Sequence, residues 1–178
     1  MRHTRIVNLF AGPGAGKSTL AAGLFHKLKS EGVRAELVTE FAKDLTWGER
    51  FGEISNPVYV AGCQWERFRR LIGKVDWIVT DSPILLASAY VTAPEDALLC
   101  RYIAELHERI PSHNFLVERH KEFVPEGRNQ TEEEARGLDT RIHRLLQRRM
   151  GRGGFIPIPG SPEGVDIAYS FLRPRTCP

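Results

Sequence analysis

Residues 8–19 read NLFAGPGAGKST, a run that sets three glycines directly ahead of a lysine and two hydroxyls. Backbone N–H groups between Gly12 and Thr19, at the start of a helix, can form a nest for an anion. The spacing follows the phosphate-loop pattern G-x-x-x-x-G-K-[ST], with Ala11 in place of the first glycine. Gly12 and Gly14 still supply the flexible backbone that such a loop needs. The expected nucleotide-binding set is Gly12, Pro13, Gly14, Ala15, Gly16, Lys17, Ser18 and Thr19. In this chemistry Lys17 reaches the β and γ phosphates of ATP, and Ser18 offers its hydroxyl to Mg²⁺.

A held phosphate has several fates, and the carboxylates narrow them. Asp81 closes the apolar run WIVTDSP, where an acid holds Mg²⁺ together with Ser18. Motor ATPases follow this aspartate with a water-polarising glutamate; here Ser82 and Pro83 follow, which argues against a dedicated hydrolase. Glu40 and Asp44, in VTEFAKDLTW, lie beyond another apolar run, where a carboxylate can take the proton of an acceptor hydroxyl. Glu40 is the first choice as base because it stands at the strand end, and Asp44 is the second. Phosphoryl transfer also needs cations around the developing charge, and Arg119, Lys121 and Arg128 are suitably placed, Arg128 best of all. The expected catalytic set is therefore Lys17, Glu40, Asp81, Arg119 and Arg128. Asp44, Gln64 and Arg67 are candidates for binding the acceptor, and Trp65 is a candidate for stacking on a base, against the ordinary reading of a half-buried core residue.

Alternating elements must position these groups. RIVNLFA (5–11) reads as a buried strand and STLAAGLFHKLKSEG as the helix after the loop, with Leu20, Ala21, Leu24 and Leu28 on one face. VRAELVTE (33–40) is a second strand. A helix over 56–76 begins with Asn56 as cap and Pro57 in its first turn. Strands at 77–83, 114–120 and 154–160 alternate with helices at 95–110 and 131–150, the last opening on Thr131 and Glu134 in capping-box spacing. Alternation of this kind implies right-handed crossovers and a mostly parallel sheet covered on both faces.

The length of 178 residues fits one domain spanning 1–178, with a polar, lid-like segment around 119–136. Three cysteines, far apart and without a C-x-x-C pair, suggest neither a disulfide framework nor a zinc site and point to a reducing, cytoplasmic setting. No apolar stretch is long enough to span a bilayer, so no membrane partner is expected. A net charge of +3 permits a nucleic-acid partner without requiring one. Arg141, Arg144, Arg148, Arg149 and Arg152 form a basic stretch able to contact a phosphate backbone, or simply to be solvated.

Taken in order, IVNLFAGPGAGKSTLAAGL, AELVTEFAKDL, WIVTDSPILL and FLVERHKEFVPEGRNQTEEEA resemble the phage-type P-loop kinases related to nicotinamide riboside kinases. The resemblance covers most of residues 4–150. It implies an α/β P-loop NTPase fold, a three-layer sandwich with a mostly parallel five-stranded sheet of nucleotide-kinase type. It further implies ATP and Mg²⁺ as ligands and a hydroxyl acceptor of nucleobase or nucleoside type. Some members of that group phosphorylate 5-hydroxymethyluracil in phage DNA, which makes double-stranded DNA carrying a modified base the sharpest acceptor, in the host cytoplasm. Nicotinamide riboside, nucleosides and nucleotides are the alternatives. A regulatory ATP-binding switch is the alternative of another class; the chain has no N-K-x-D guanine motif.

Overall fold

The structure, a computed structural model, describes residues 3–91, 94–120 and 131–172. Lys121 and Arg128, with most of the expected lid, lie outside the described residues. Five strands form one parallel sheet: β1 (Arg5–Phe10), β2 (Ala35–Val38), β3 (Trp77–Thr80), β4 (Ser112–Glu118) and β5 (Ile156–Pro159), in the order β2-β3-β1-β4-β5. The sheet is thus all-parallel, where the sequence indicates mostly parallel.

Period-two alternation in β1 feeds two cores. Ile6 and Phe10 face one side, with Phe68, Ile78, Ile103, Ile142 and Leu146. Val7 and Leu9 face the other, with Leu20, Leu24, Leu28, Val79 and Phe115. The second side is covered by α1 (Lys17–Ser30) and α7 (Pro162–Leu172), which pack together. The first is covered by α4 (Pro57–Arg69), α5 (Ala97–Glu108), α6 (Glu132–Met150) and a 3₁₀ segment, Ile84–Ala89. Among the described residues no helix is long and apolar enough to cross a membrane.

Local chemistry explains where the elements stop. The Asn56 side chain accepts from the Tyr59 N–H at 3.0 Å to start α4, with Pro57 in the first turn. That helix ends at Arg69 rather than 76. Thr4 closes the turn behind it, its hydroxyl accepting from the Gly73 N–H (2.8 Å) and donating to the Val75 carbonyl (2.6 Å). Thr131 and Glu134 form the expected capping box on α6. Two short helices, α2 (Phe41–Trp47) and α3 (Phe51–Ile54), were not legible. Leu45 is the one buried residue of α2 and α3 has none, so no inward stripe marks them.

Register positions the chemistry. Asn8 of β1 aligns with Thr80 of β3, and Thr80 aligns with Val38 of β2. The loop after β1, Asp81 after β3 and Glu40 after β2 therefore leave the sheet at one edge, its carboxyl edge.

The chain after β5 supports that loop from below. The Gly160 N–H donates to the Glu118 carbonyl at 2.9 Å, and a Cβ on Gly160 would lie 2.4 Å from the Ala15 carbonyl oxygen. Both neighbours are backbone, so neither can swing aside. Gly160→Ala is expected to cost about 1–3 kcal/mol in urea unfolding by forcing the two loops apart; an unchanged midpoint would show that they do not bear on one another.

Candidate active site

The loop from Ala11 to Gly16 wraps the start of α1, whose cap Gly16 has the left-handed φ of 98°. Lys17 follows, only 8% exposed, and its Nζ donates to the carbonyls of Ala11 (2.8 Å) and Gly12 (2.9 Å). Burial lowers the Lys17 pKa, while Glu40, Asp81 and Asp139 act to raise it.

Ser18 Oγ donates to Asp81 Oδ2 at 2.5 Å. The other carboxylate oxygen, Asp81 Oδ1, is buried without a hydrogen-bond partner. A hydroxyl beside an orphaned carboxylate oxygen is a hard oxygen donor pair, and it fits Mg²⁺, which typically takes one or two protein oxygens and completes its shell with waters and phosphates. No group of three or more His, Cys, Asp or Glu side chains able to cage a metal occurs among the described residues.

On the other flank of Lys17, Asp139 of α6 accepts from the Gly12 N–H at 2.6 Å through Oδ1. Through Oδ2 it accepts from Arg119 Nη2 (2.8 Å) and Nε (3.1 Å). Arg119 Nη1 is buried and has no hydrogen-bond partner among the described residues. Lys17 is thus flanked by an orphaned acceptor suited to a cation and an orphaned donor suited to an anion. Gly12 departs from expectation: its N–H is taken by Asp139, and a Cβ there would lie 2.6 Å from the Ala135 carbonyl oxygen. It packs the loop against α6 instead of facing the nest.

Pro13, Gly14, Gly16, Lys17, Ser18 and Thr19 line one end of a cavity of about 520 Å³. The rest of its lining comes mainly from α2, α4 and the 3₁₀ segment and includes Glu40, Thr46, Val60, Gln64, Leu86 and Tyr90. Glu40 caps α2 with extended backbone, but its side chain makes no capping hydrogen bond. Burial raises its pKa, with Lys17 opposing and Asp81 reinforcing the shift. Tyr90, also in the lining, is pushed up by burial and by Glu40 and Asp139, which keeps its phenol protonated.

The remaining candidates are placed differently. Asp44 pairs with Arg67, and neither lines the cavity. Arg67 Nη1 also donates to the Thr39 carbonyl and hydroxyl, both at 3.1 Å, and its guanidinium lies over Phe41, so it staples the end of β2 to α4. Gln64 reaches the cavity, yet its amide is engaged by three backbone groups. Trp65 is turned onto Phe68 and the core, in line with the ordinary reading of a half-buried core residue. Asp139 and Tyr90 escaped the sequence reading. Asp139 sits among helix-surface charges, and its signal was only its position next to the inner-face Leu138; Tyr90 ends an apolar run that reads as core.

A carboxyl whose pKa rises on folding costs stability wherever it must be ionised. Glu40→Gln is therefore expected to stabilise the fold at pH 7–8. The gain should shrink as pH falls through the folded pKa and vanish below the ordinary glutamate value of about 4.3, where both states are protonated. Denaturation midpoints of both forms across this range measure it; a gain that grew at low pH would show that the carboxylate is favoured, not strained, in its setting.

Comparison with known structures agrees with this architecture. The NadR protein in complex with NAD and AMP-PNP superposes with a TM-score of 0.69 at 14% identity, over 98% of this chain and 52% of that one. NadR in complex with NR gives 0.70 at 13%, over 94% and 51%. Deoxyadenosine kinase from M. mycoides with bound dATP gives 0.61 at 12%, over 94% and 98%. The chain therefore spans about half the length of the NadR structures and almost the full length of the kinase. At these identities the likeness is one of fold, an α/β P-loop fold. No curated protein sequence matches significantly. The family model described as an AAA domain matches residues 6–161, and the chain belongs to that family.

Proposed function

We propose that this protein transfers the γ-phosphoryl group of ATP to a hydroxyl of a nucleobase- or nucleoside-type acceptor, with Mg²⁺ as the cofactor. The observation that carries the reading is Glu40. A carboxylate with a raised pKa, unspent on any capping bond, opens into the same cavity as the phosphate loop. That is where a general base for an incoming hydroxyl belongs. The deoxyadenosine kinase and NadR structures, with dATP and NR respectively, lend support to the acceptor class.

In this mechanism the acceptor lies against Val60, Leu86 and Tyr90 with its hydroxyl toward Glu40. Its oxygen forms the new bond to phosphorus, the bond from phosphorus to the ADP oxygen breaks, and the hydroxyl proton passes to Glu40. Lys17 exchanges its two loop carbonyls for phosphate oxygens, and Arg119 Nη1 meets the charge that develops on the transferred group. Ser18 and Asp81 would hold Mg²⁺, which when bound neutralises charge on the β and γ phosphates. Asp81 is followed by Ser82, so no acid stands next to it to activate water. Arg128 is proposed to add a second cation from the lid.

The sharper form of the proposal takes 5-hydroxymethyluracil in DNA as the acceptor. It rests on the sequence resemblance and on the exposed Arg144, Arg148, Arg149 and Arg152, which make no ion pair among the described residues. Incubation with γ-labelled ATP and parallel acceptors tests both levels. The arms are 5-hydroxymethyluracil DNA, ordinary DNA, nucleosides, nucleotides and nicotinamide riboside. Label is expected on one hydroxyl acceptor; label found only as free phosphate, with every acceptor untouched, means an ATPase or switch instead. Lys17→Ala is expected to abolish transfer, and Glu40→Gln to slow it roughly a hundredfold while ATP binding holds. Full turnover in Glu40→Gln would remove it as the base.

A further inference from the structure

An acid at the cap of a helix ordinarily turns its side chain onto the helix's own first N–H groups. Glu40 does not, although it stands at the cap of α2. The N–H at the start of that helix is satisfied from outside: Phe41 donates to Gln64 Oε1 of α4 at 2.8 Å. Gln64 Nε2 donates in turn to the Ser82 carbonyl at 3.1 Å and to the Thr39 carbonyl at 3.3 Å. Gln64 is only 4% exposed. Its three backbone partners flank the two carboxylates of the site, Thr39 and Phe41 on either side of Glu40 and Ser82 directly after Asp81.

We infer that Gln64 is a positioning residue, whose buried amide ties the turn carrying Glu40 to the turn carrying Asp81 and leaves the Glu40 carboxylate free for the acceptor. The inference rests on the proposed phosphoryl transfer for its kinetic meaning, though not for its structural one. Both amide hydrogens and the amide oxygen are engaged. Turning the amide toward an acceptor would strand buried backbone groups, each at the cost of an unmet hydrogen bond. Arg67 supports the same turn from the rim through Thr39. Gln64 is the one of the two that reaches across to β3. Spacing between base and metal-binding acid matters because an error of about 1 Å at a reacting centre costs on the order of a hundredfold in rate.

Gln64→Met keeps the side-chain length and removes every hydrogen bond. Its kcat is expected to fall roughly tenfold to a hundredfold, with KM for ATP and for the acceptor held within about twofold. A raised acceptor KM at unchanged kcat would instead make Gln64 an acceptor contact and overturn the inference. Gln64→Glu keeps an oxygen for the Phe41 N–H but sets another against the Ser82 and Thr39 carbonyls. It should lower kcat in the same sense, and it decides the matter if the methionine variant does not fold. Hydrogen exchange at the Phe41 amide gives a reading independent of catalysis. It should quicken at least about tenfold in Gln64→Met while the amides of β1 and β3 keep their protection; no change at Phe41 would overturn the inference. If the wild-type protein phosphorylates none of the acceptors, the kinase reading falls alone, and the exchange result still decides the role of Gln64.

Discussion

A lysine ammonium with almost no water around it is the constraint around which this site is organised. Desolvating such a charge is expensive unless carbonyls and carboxylates take the place of the solvent. Lys17 has both: two loop carbonyls within hydrogen-bonding distance and three carboxylates, Glu40, Asp81 and Asp139, acting on its charge. Each carboxylate comes from a different element, the ends of β2 and β3 and the middle of α6. A change in the register of the sheet would separate them. The parallel pairing that aligns Val38, Thr80 and Asn8 therefore serves charge balance as much as it serves the core.

The family description, an AAA domain, covers proteins built around a phosphate loop and leaves the destination of the phosphate open. The local chemistry is more selective. The loop face of the cavity carries Lys17 and Ser18, and Asp81 is hydrogen-bonded to Ser18, an arrangement suited to a phosphate and its cation. The rest of the lining, from α2, α4 and the 3₁₀ segment, mixes apolar side chains such as Val60 and Leu86 with the polar Glu40, Thr46 and Gln64.

How much of this was legible depended on whether a residue's role was local. β1, the loop and α1 could be read because period-two burial, glycine spacing and period-3.6 burial succeed one another within 26 residues, Arg5 to Ser30. The capping box of α6 and the Asn56-Pro57 start of α4 were legible for the same reason. Asp139 was not, because what distinguishes it from any helix-surface acid is a glycine 127 residues away. Gln64, Arg67 and Asp44 were recognised as polar residues near the site, but their partners are backbone groups and each other, which composition does not encode. Trp65 had the chemistry to stack on a base, and helical phase turned it toward Phe68.

The clamp of Asp139 on Gly12 also bears on how the site holds together. Contacts on the acceptor side, from Gln64 to Phe41 and Ser82, close loops of 23 and 18 residues and lie within the first half of the chain. The phosphate loop is closed over far longer stretches of chain: its anchor at Asp139 lies 127 residues from Gly12, and its support at Gly160 is farther still from Ala15. Closing a longer loop costs more chain entropy, although the cost rises only slowly with length, so the brace on the phosphate loop is the costlier of the two to form. Anything that loosens α6 therefore loosens the phosphate loop as well, even where the acceptor-side contacts hold.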